Sequence, residues 1–293
     1  MATWRSGYAA DCKSVYSGSI PDVASRLPSS SFMPCRRPRR PTRLVGVRHA
    51  ALDLLAVVQV HGYEEPAYAA GAQMTDFVHA RRVMVDSQIR PSSVTDRRLI
   101  AALGHVPREL FVPPRWRELA YLDTELPVNE DVPPRRLSAP AVQARLIQLA
   151  AIGPDDRVLD LGCASGYSAA LIASLAGSVV AVEPDAALAA SARVALEELG
   201  VENVVVRQGP IDGAGAADGP FDAIVIEAAV ERVPTALISQ LREGGRIAAF
   251  VGTGPTAVAH LFVRQGRDLA GRAEFDARLP ALATGSAEER FVF

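Results

Sequence analysis

The sequence predicts an α/β protein built on a doubly wound parallel sheet, and three observations predict it. From residue 157 onward, short apolar runs alternate with helical patterns at the spacing of βαβ units. The stretch Val158-Leu-Asp-Leu-Gly-Cys-Ala-Ser-Gly-Tyr167 reads as a buried strand, a glycine-hinged loop and the first turn of a helix. Glu183, twenty-one residues after Gly162, ends the next apolar run, where a carboxylate can accept hydrogen bonds from both hydroxyls of a ribose. In such a sheet a nucleotide-like ligand sits at the carboxyl end of the first strand, because loop amides and a helix N-terminus converge there.

Taken in order, the chain divides near residue 74. Of its 31 basic and 33 acidic residues, nine and five fall within residues 1–73, leaving 22 and 28 for the rest, so a basic tail precedes an acidic domain. The tail holds Arg36-Arg-Pro-Arg-Arg40 among prolines and serines and has no apolar period that could form a core. It imitates an export signal loosely, with Asp53 and Gln59 interrupting the apolar region, and it could serve as an interaction tail. The preferred reading is a biological start at Met74, with the preceding residues upstream sequence in a frame that stays open because it is G+C-rich. Arginine supplies every basic residue except Lys13, as such a frame favours.

Residues 74–137 are expected to form a helical cap. Thr75 can cap a helix carrying Phe77, Val78, Val83, Met84 and Val85 that ends ahead of Pro91. A second helix starts near Thr95 or Asp96 with Leu99, Ile100 and Leu103 on one face, and residues 116–121 read as a short helix. The larger part, residues 138–293, opens with Ser138 as N-cap and Pro140 in the first turn. Strands are expected at residues 157–161, 179–183, 203–207, 221–227 and 246–251. Helices are expected at residues 167–176, at 185–199 closed by Gly200, and at 234–241 stopped by Gly244 and Gly245. Residues 258–264 and 290–293 are candidates for further strands.

The near-neutral charge and 49% hydrophobic content are those of a globular protein, and nucleic acid is not favoured as a partner. No apolar run reaches the ~18 residues of a membrane span. Cys12, Cys35 and Cys163 have no paired spacing, so neither a disulfide framework nor a zinc site is indicated, and a cytoplasmic monomer is the expectation. His79, His105 and His260 are isolated and read as surface or packing residues.

The loop and Glu183 are compatible with both a nicotinamide dinucleotide and S-adenosyl-L-methionine. The spacing favours the second: a dinucleotide fingerprint wants Gly-x-Gly-x-x-Gly, whereas here Ala164 replaces the central glycine between Gly162 and Gly166. Asp160, two positions before Gly162, also suits a ligand with a cationic centre and an amino group.

Several segments, in order, are similar to one family. Met84-Val-Asp-Ser-Gln-Ile-Arg90, Val106-Pro-Arg-Glu-Leu-Phe-Val-Pro113 and Tyr121 look like the helical front of the protein-L-isoaspartate O-methyltransferases. Leu137-Ser-Ala-Pro140 resembles their serine motif, residues 158–167 their cofactor loop, and Pro220-Phe-Asp-Ala-Ile224 with Gln240-Leu-Arg-Glu-Gly-Gly245 their later motifs. The resemblance implies a seven-stranded, Rossmann-like methyltransferase sheet, S-adenosyl-L-methionine as donor, and isoaspartyl residues of damaged proteins or peptides as acceptors, methylated for repair. It implies Ser138 as the active-site serine, and Asp160, Gly162, Ala164, Gly166, Tyr167 and Glu183 as cofactor contacts. Where the family has Gly-Asp-Gly after the third strand, this sequence has Gly209-Pro-Ile-Asp-Gly213. Pro210 offers no side-chain acceptor to an adenine, so Gly209 and Asp212 are the contacts expected there.

The implied chemistry accounts for what the sequence lacks. A carboxylate of pKa ~4 is already ionised at neutral pH, so its attack on a sulfonium methyl group needs no strong base. Ser138 would orient the acceptor. The alternatives are a methyltransferase of the same fold with another acceptor, or a non-catalytic S-adenosyl-L-methionine-binding protein.

Overall fold

The computed structural model describes residues 76–131, 134–211, 215–253 and 256–278. The tail, Thr75, Asp212 and the strand expected at residues 290–293 lie outside the described residues. The helical front begins with α1 (Phe77–Met84), whose cap is Asp76: its carboxylate accepts from the His79 amide at 3.0 Å. A π-helical turn (Val85–Ile89) carries α1 to the expected stop, and a 3-10 turn (Arg90–Ser92) continues past it. Met84, Val85 and Ile89 face the core, but Val78 and Val83 are exposed, because they lie off the stripe these three define. In α2 (Arg97–His105) Asp96 caps, and Leu99 and Leu103 are buried as expected. Two 3-10 turns follow, Arg108–Phe111 and Pro114–Leu119, where a short helix had been expected at residues 116–121.

A small antiparallel pair, β1 (Leu126–Pro127) and β2 (Arg136–Leu137), leads into α3 (Pro140–Leu149). Here the expectation that Ser138 caps the helix is corrected. Ala139 occupies the cap position without a side-chain bond, since Pro140 at the first position has no N–H to satisfy. Ser138 stands one residue earlier, buried against the site described below.

The sheet strands come next: β3 (Arg157–Leu161), α4 (Tyr167–Ala173), β4 (Ser178–Glu183), α5 (Ala186–Glu198) and β5 (Val204–Gln208). They are followed by β6 (Phe221–Val230), α6 (Ala236–Gln240), β7 (Leu241–Val251), β8 (Thr256–Gln265) and β9 (Asp268–Arg278). One seven-stranded sheet results, in the order β5-β4-β3-β6-β7-β8-β9, parallel from β5 to β7 and antiparallel at β8 and β9. The helix expected at residues 234–241 is shorter, because Leu241 already takes an extended conformation (φ −87°, ψ 149°) and starts β7 ahead of the two glycines.

Alternation along the strands divides the core in two. Val158, Val179, Ala181, Ala223 and Val225 pack with the helical front, α3, α4 and α5. Leu159, Leu161, Val180, Val182, Ile224 and Ile226 form the other face with Leu237 of α6. Covering both faces explains why these strands read as near-continuous apolar runs. The strand order reverses at β3, whose two neighbours β4 and β6 leave a crevice at their carboxyl ends.

Candidate active site

The loop after β3 is shaped by left-handed backbone. Gly162 has φ +78° and Gly166 φ +96°, and a Cβ on Gly166 would lie 3.0 Å from the Cβ of Ala192 in α5. Ala164, between them, also has a positive φ of 49°, a conformation in which glycine is unstrained. The loop is tied to β4 by the Gly162 amide, which donates to the Val182 carbonyl at 2.8 Å. Glu183 is only 2% exposed, so it is no ordinary solvated strand end. Its Oε2 accepts from the Ala164 amide at 2.7 Å and its Oε1 from the Asp185 amide at 3.2 Å. The Arg135 guanidinium also reaches this corner: Nη2 donates to the Gly162 carbonyl at 2.9 Å.

Two more carboxylates sit nearby. Asp160 is fully buried; its Oδ2 accepts from the Ser168 hydroxyl at 2.7 Å, and its Oδ1 has no partner among the described residues. Burial raises its pKa to about 7. Glu227 follows Ile226, which pairs with Leu161, so it stands across the β3/β6 crevice from Gly162. Its pKa is raised to about 8, first by burial and then by the neighbouring charge of Asp160. Glu227 Oε2 accepts from Gln143 Nε2 at 3.0 Å, while Oε1 has no partner among the described residues.

A buried guanidinium ties this crevice to the helical front. Arg108 donates from Nε to the Ala120 carbonyl at 2.9 Å, from Nη1 to Gln143 Oε1 at 3.2 Å and from Nη2 to the Ser138 carbonyl at 2.5 Å. Its Cζ lies 4.9 Å from the centroid of the Tyr167 ring. The Ser165 hydroxyl adds a bond to the Phe111 carbonyl at 2.5 Å. These bonds fix where Ser138 enters the site.

Of the residues singled out from sequence, Ser138, Gly162 and Ala164 line one crevice together with Gln143, Ser168 and Glu227. Asp160 touches that crevice through Ser168, and Glu183 lies on the opposite flank of the loop. Gly166 and Tyr167 are structural neighbours: Gly166 precedes α4, and the Tyr167 ring is fully buried under Arg108. Gly209 is tied to the end of β4, its amide donating to the Glu183 carbonyl at 3.2 Å, and the neighbouring Pro210 is exposed. Asp212 lies outside the described residues. Arg108, Arg135, Gln143, Ser168 and Glu227 were not anticipated as site residues. For Glu227 a signal existed, since an apolar strand ending in a carboxylate is the same pattern that marked Glu183.

Buried acceptors around a tight loop fit a ligand that carries a ribose and an ammonium group. The unpartnered Asp160 Oδ1 in particular calls for a donor or a cation. Known proteins agree. The profile of the family "Protein-L-isoaspartate(D-aspartate) O-methyltransferase (PCMT)" matches residues 79–277. The chain belongs to the protein-L-isoaspartate O-methyltransferase family. It is 40% identical over 210 residues to the protein-L-isoaspartate O-methyltransferase of Koribacter versatilis, covering 71% of this chain and 92% of that one. A solved protein-L-isoaspartate O-methyltransferase superposes with a TM-score of 0.62 at 25% identity, covering 69% of this chain and 65% of that chain. A Plasmodium falciparum structure in complex with S-adenosyl-L-homocysteine, 20% identical and with a TM-score of 0.59, covers 70% of this chain and 98% of that chain and shares the fold. No helix among the described residues is long and apolar enough to cross a membrane.

Proposed function

We propose that this family member transfers a methyl group from S-adenosyl-L-methionine to the carboxyl group of L-isoaspartyl residues in damaged proteins, as a repair step. The observation that carries the reading is that Ser138 and the Gly162–Ala164 loop line one crevice, with Glu183 buried on the far flank of that loop. When bound, S-adenosyl-L-methionine supplies an electrophilic methyl group on a sulfonium. Glu183 would accept from the ribose hydroxyls, the loop and Gly209 would border the nucleoside, and Asp160 would receive the ammonium. Ser138 orients the acceptor carboxylate. That group is ionised at neutral pH, so alignment and exclusion of water are what the protein has to provide, and such positioning supplies several kcal/mol of a barrier.

The nitrogen of the following backbone amide attacks the resulting ester and expels methanol, which gives a succinimide whose hydrolysis returns part of the chain to the aspartyl form; methylation serves repair in this way. The working unit begins near Met74, with residues 74–137 as the helical front and 138–293 as the methyltransferase domain, and acts in the cytoplasm as a monomer. Removal of residues 1–73 is expected to leave cofactor binding intact. Transfer of labelled methyl groups to paired isoaspartyl and aspartyl peptides tests the function. Selective labelling of the isoaspartyl member supports it, and equal labelling of both assigns another acceptor.

A further inference from the structure

Glu227 belongs to no part of the reading above, yet it places a buried carboxyl group in the crevice wall. The order β4-β3-β6 places Glu183 and Glu227 on opposite flanks of the loop after β3. Neighbouring strands lie about 4.8 Å apart, so the two flanks are separated by about 10 Å. If Glu183 faces the ribose, Glu227 faces the reacting end, beside Ser138.

Its orientation is fixed from behind. Arg108 Nη1 donates to Gln143 Oε1, which obliges Gln143 to turn its NH2 group toward Glu227 Oε2. The other oxygen, Oε1, is buried and has no partner among the described residues, on a residue only 9% exposed. A buried polar atom held at a fixed angle without a protein partner implies a partner from outside.

We infer that Glu227 receives and orients the acceptor carboxyl group, donating a hydrogen bond from Oε1 while Gln143 holds Oε2. This rests on the carboxyl-methylation reading above. Donation requires the neutral acid, and the surroundings favour it. Asp160 faces Glu227 from β3, against the cations Arg135 from the segment before β2 and Arg108 from the 3-10 turn, with the neutral Gln143 on α3. Burial, the largest cause, prevails over these cations, so Glu227 keeps its proton below about pH 8. An acid–carboxylate pair then holds one acceptor oxygen and leaves the other for the methyl group. Above that pH two carboxylates would meet in a dry crevice and repel.

The test is steady-state methyl transfer to an isoaspartyl peptide from about pH 6 to about pH 9, with S-adenosyl-L-homocysteine binding measured separately by calorimetry. Glu227→Ala is expected to raise the acceptor KM roughly tenfold to a hundredfold, the loss of a hydrogen bond to a charged group. Homocysteine-derivative binding should be unmoved, which also reports that the variant is folded. The wild-type KM is expected to rise above about pH 8. Glu227→Gln, whose carbonyl can still accept from Gln143 while its NH2 donates, should raise KM less and give no rise with pH. Weakened S-adenosyl-L-homocysteine binding with an unchanged acceptor KM would overturn the inference and give Glu227 to the cofactor. Variants that behave as wild type overturn it while leaving the methylation reading in place, and a wild-type protein without transfer to isoaspartyl peptides overturns both.

Discussion

Arg135 Nη2 lies 3.7 Å from Glu183 Oε2, so a guanidinium covers the carboxylate proposed to face the ribose. A Cβ on Gly162 would come within 2.9 Å of the same nitrogen, which shows how closely this side chain fills the corner. The guanidinium is incompletely satisfied, since its buried Nε has no partner among the described residues. Ribose hydroxyls reaching Glu183 therefore compete with a contact that is easily given up. Arg135→Met is expected to tighten S-adenosyl-L-homocysteine binding several-fold, and Glu183→Ala to weaken it about tenfold or more, by the typical worth of hydrogen bonds to a charged group. Calorimetric titration reads both. Weaker binding by Arg135→Met would instead make the guanidinium a ligand contact.

Gly166 joins two constraints at one atom. Its φ of +96° disfavours any side chain, and an added Cβ would lie 3.0 Å from Ala192 Cβ and 3.2 Å from its Cα. Gly166→Ala is expected to cost about 2 kcal/mol or more, combining backbone strain with overpacking. Urea denaturation of the two proteins would show it as a lowered midpoint with an unchanged slope.

Arg108 is the buried cation on which the helical front and the crevice meet. Removing it leaves the Ala120 and Ser138 carbonyls and Gln143 Oε1 without their donor. Arg108→Met is expected to destabilise by about 3 kcal/mol or more. Arg108→Lys should recover little, because an ammonium cannot reproduce the fork that reaches three acceptors. Equal stability of wild type and Arg108→Lys in thermal unfolding would refute the role of that geometry.

The carboxyl groups of Asp160 and Glu227 make stability depend on pH in a stated direction. Both pKa values are raised by burial, from 3.8 to about 7 and from 4.5 to about 8. Between the unfolded and folded values the native protein binds more protons than the unfolded chain, so stability falls as pH rises through this window and levels off above about 8. Melting temperatures of the ligand-free protein should decline between about pH 5 and about pH 8. The Asp160→Asn, Glu227→Gln double variant should show a flatter profile, and an equally steep one would mean other groups are responsible.

The parts of the site legible in sequence are those where backbone geometry imposes a residue type. The turn after β3 needs left-handed backbone at Gly162 and Gly166, and the bounds of β3 coincide with those read from its apolar run. Glu183 was legible because a carboxylate ending a buried strand is conspicuous. Ser138 stands out in the sequence as an N-cap and, by resemblance, as an active-site serine; Pro140 and Ala139 start the helix without it, while the residue itself lines the crevice. Arg108 and Gln143 were opaque because their partners lie 12 to 84 positions away, and neither spacing nor periodicity encodes such contacts. The strand β9 is not legible because its residues are mostly exposed and it is held by pairing to β8, with no apolar period to mark it.

The most direct measurement follows one synthetic isoaspartyl peptide in the presence of the protein and S-adenosyl-L-methionine, with products separated by chromatography and identified by mass. The expected course is a methyl ester, then a succinimide, then accumulation of the aspartyl peptide, while the aspartyl peptide offered alone is not methylated. Absence of the ester under conditions in which S-adenosyl-L-homocysteine binds, or equal methylation of both isomers, would contradict repair methylation.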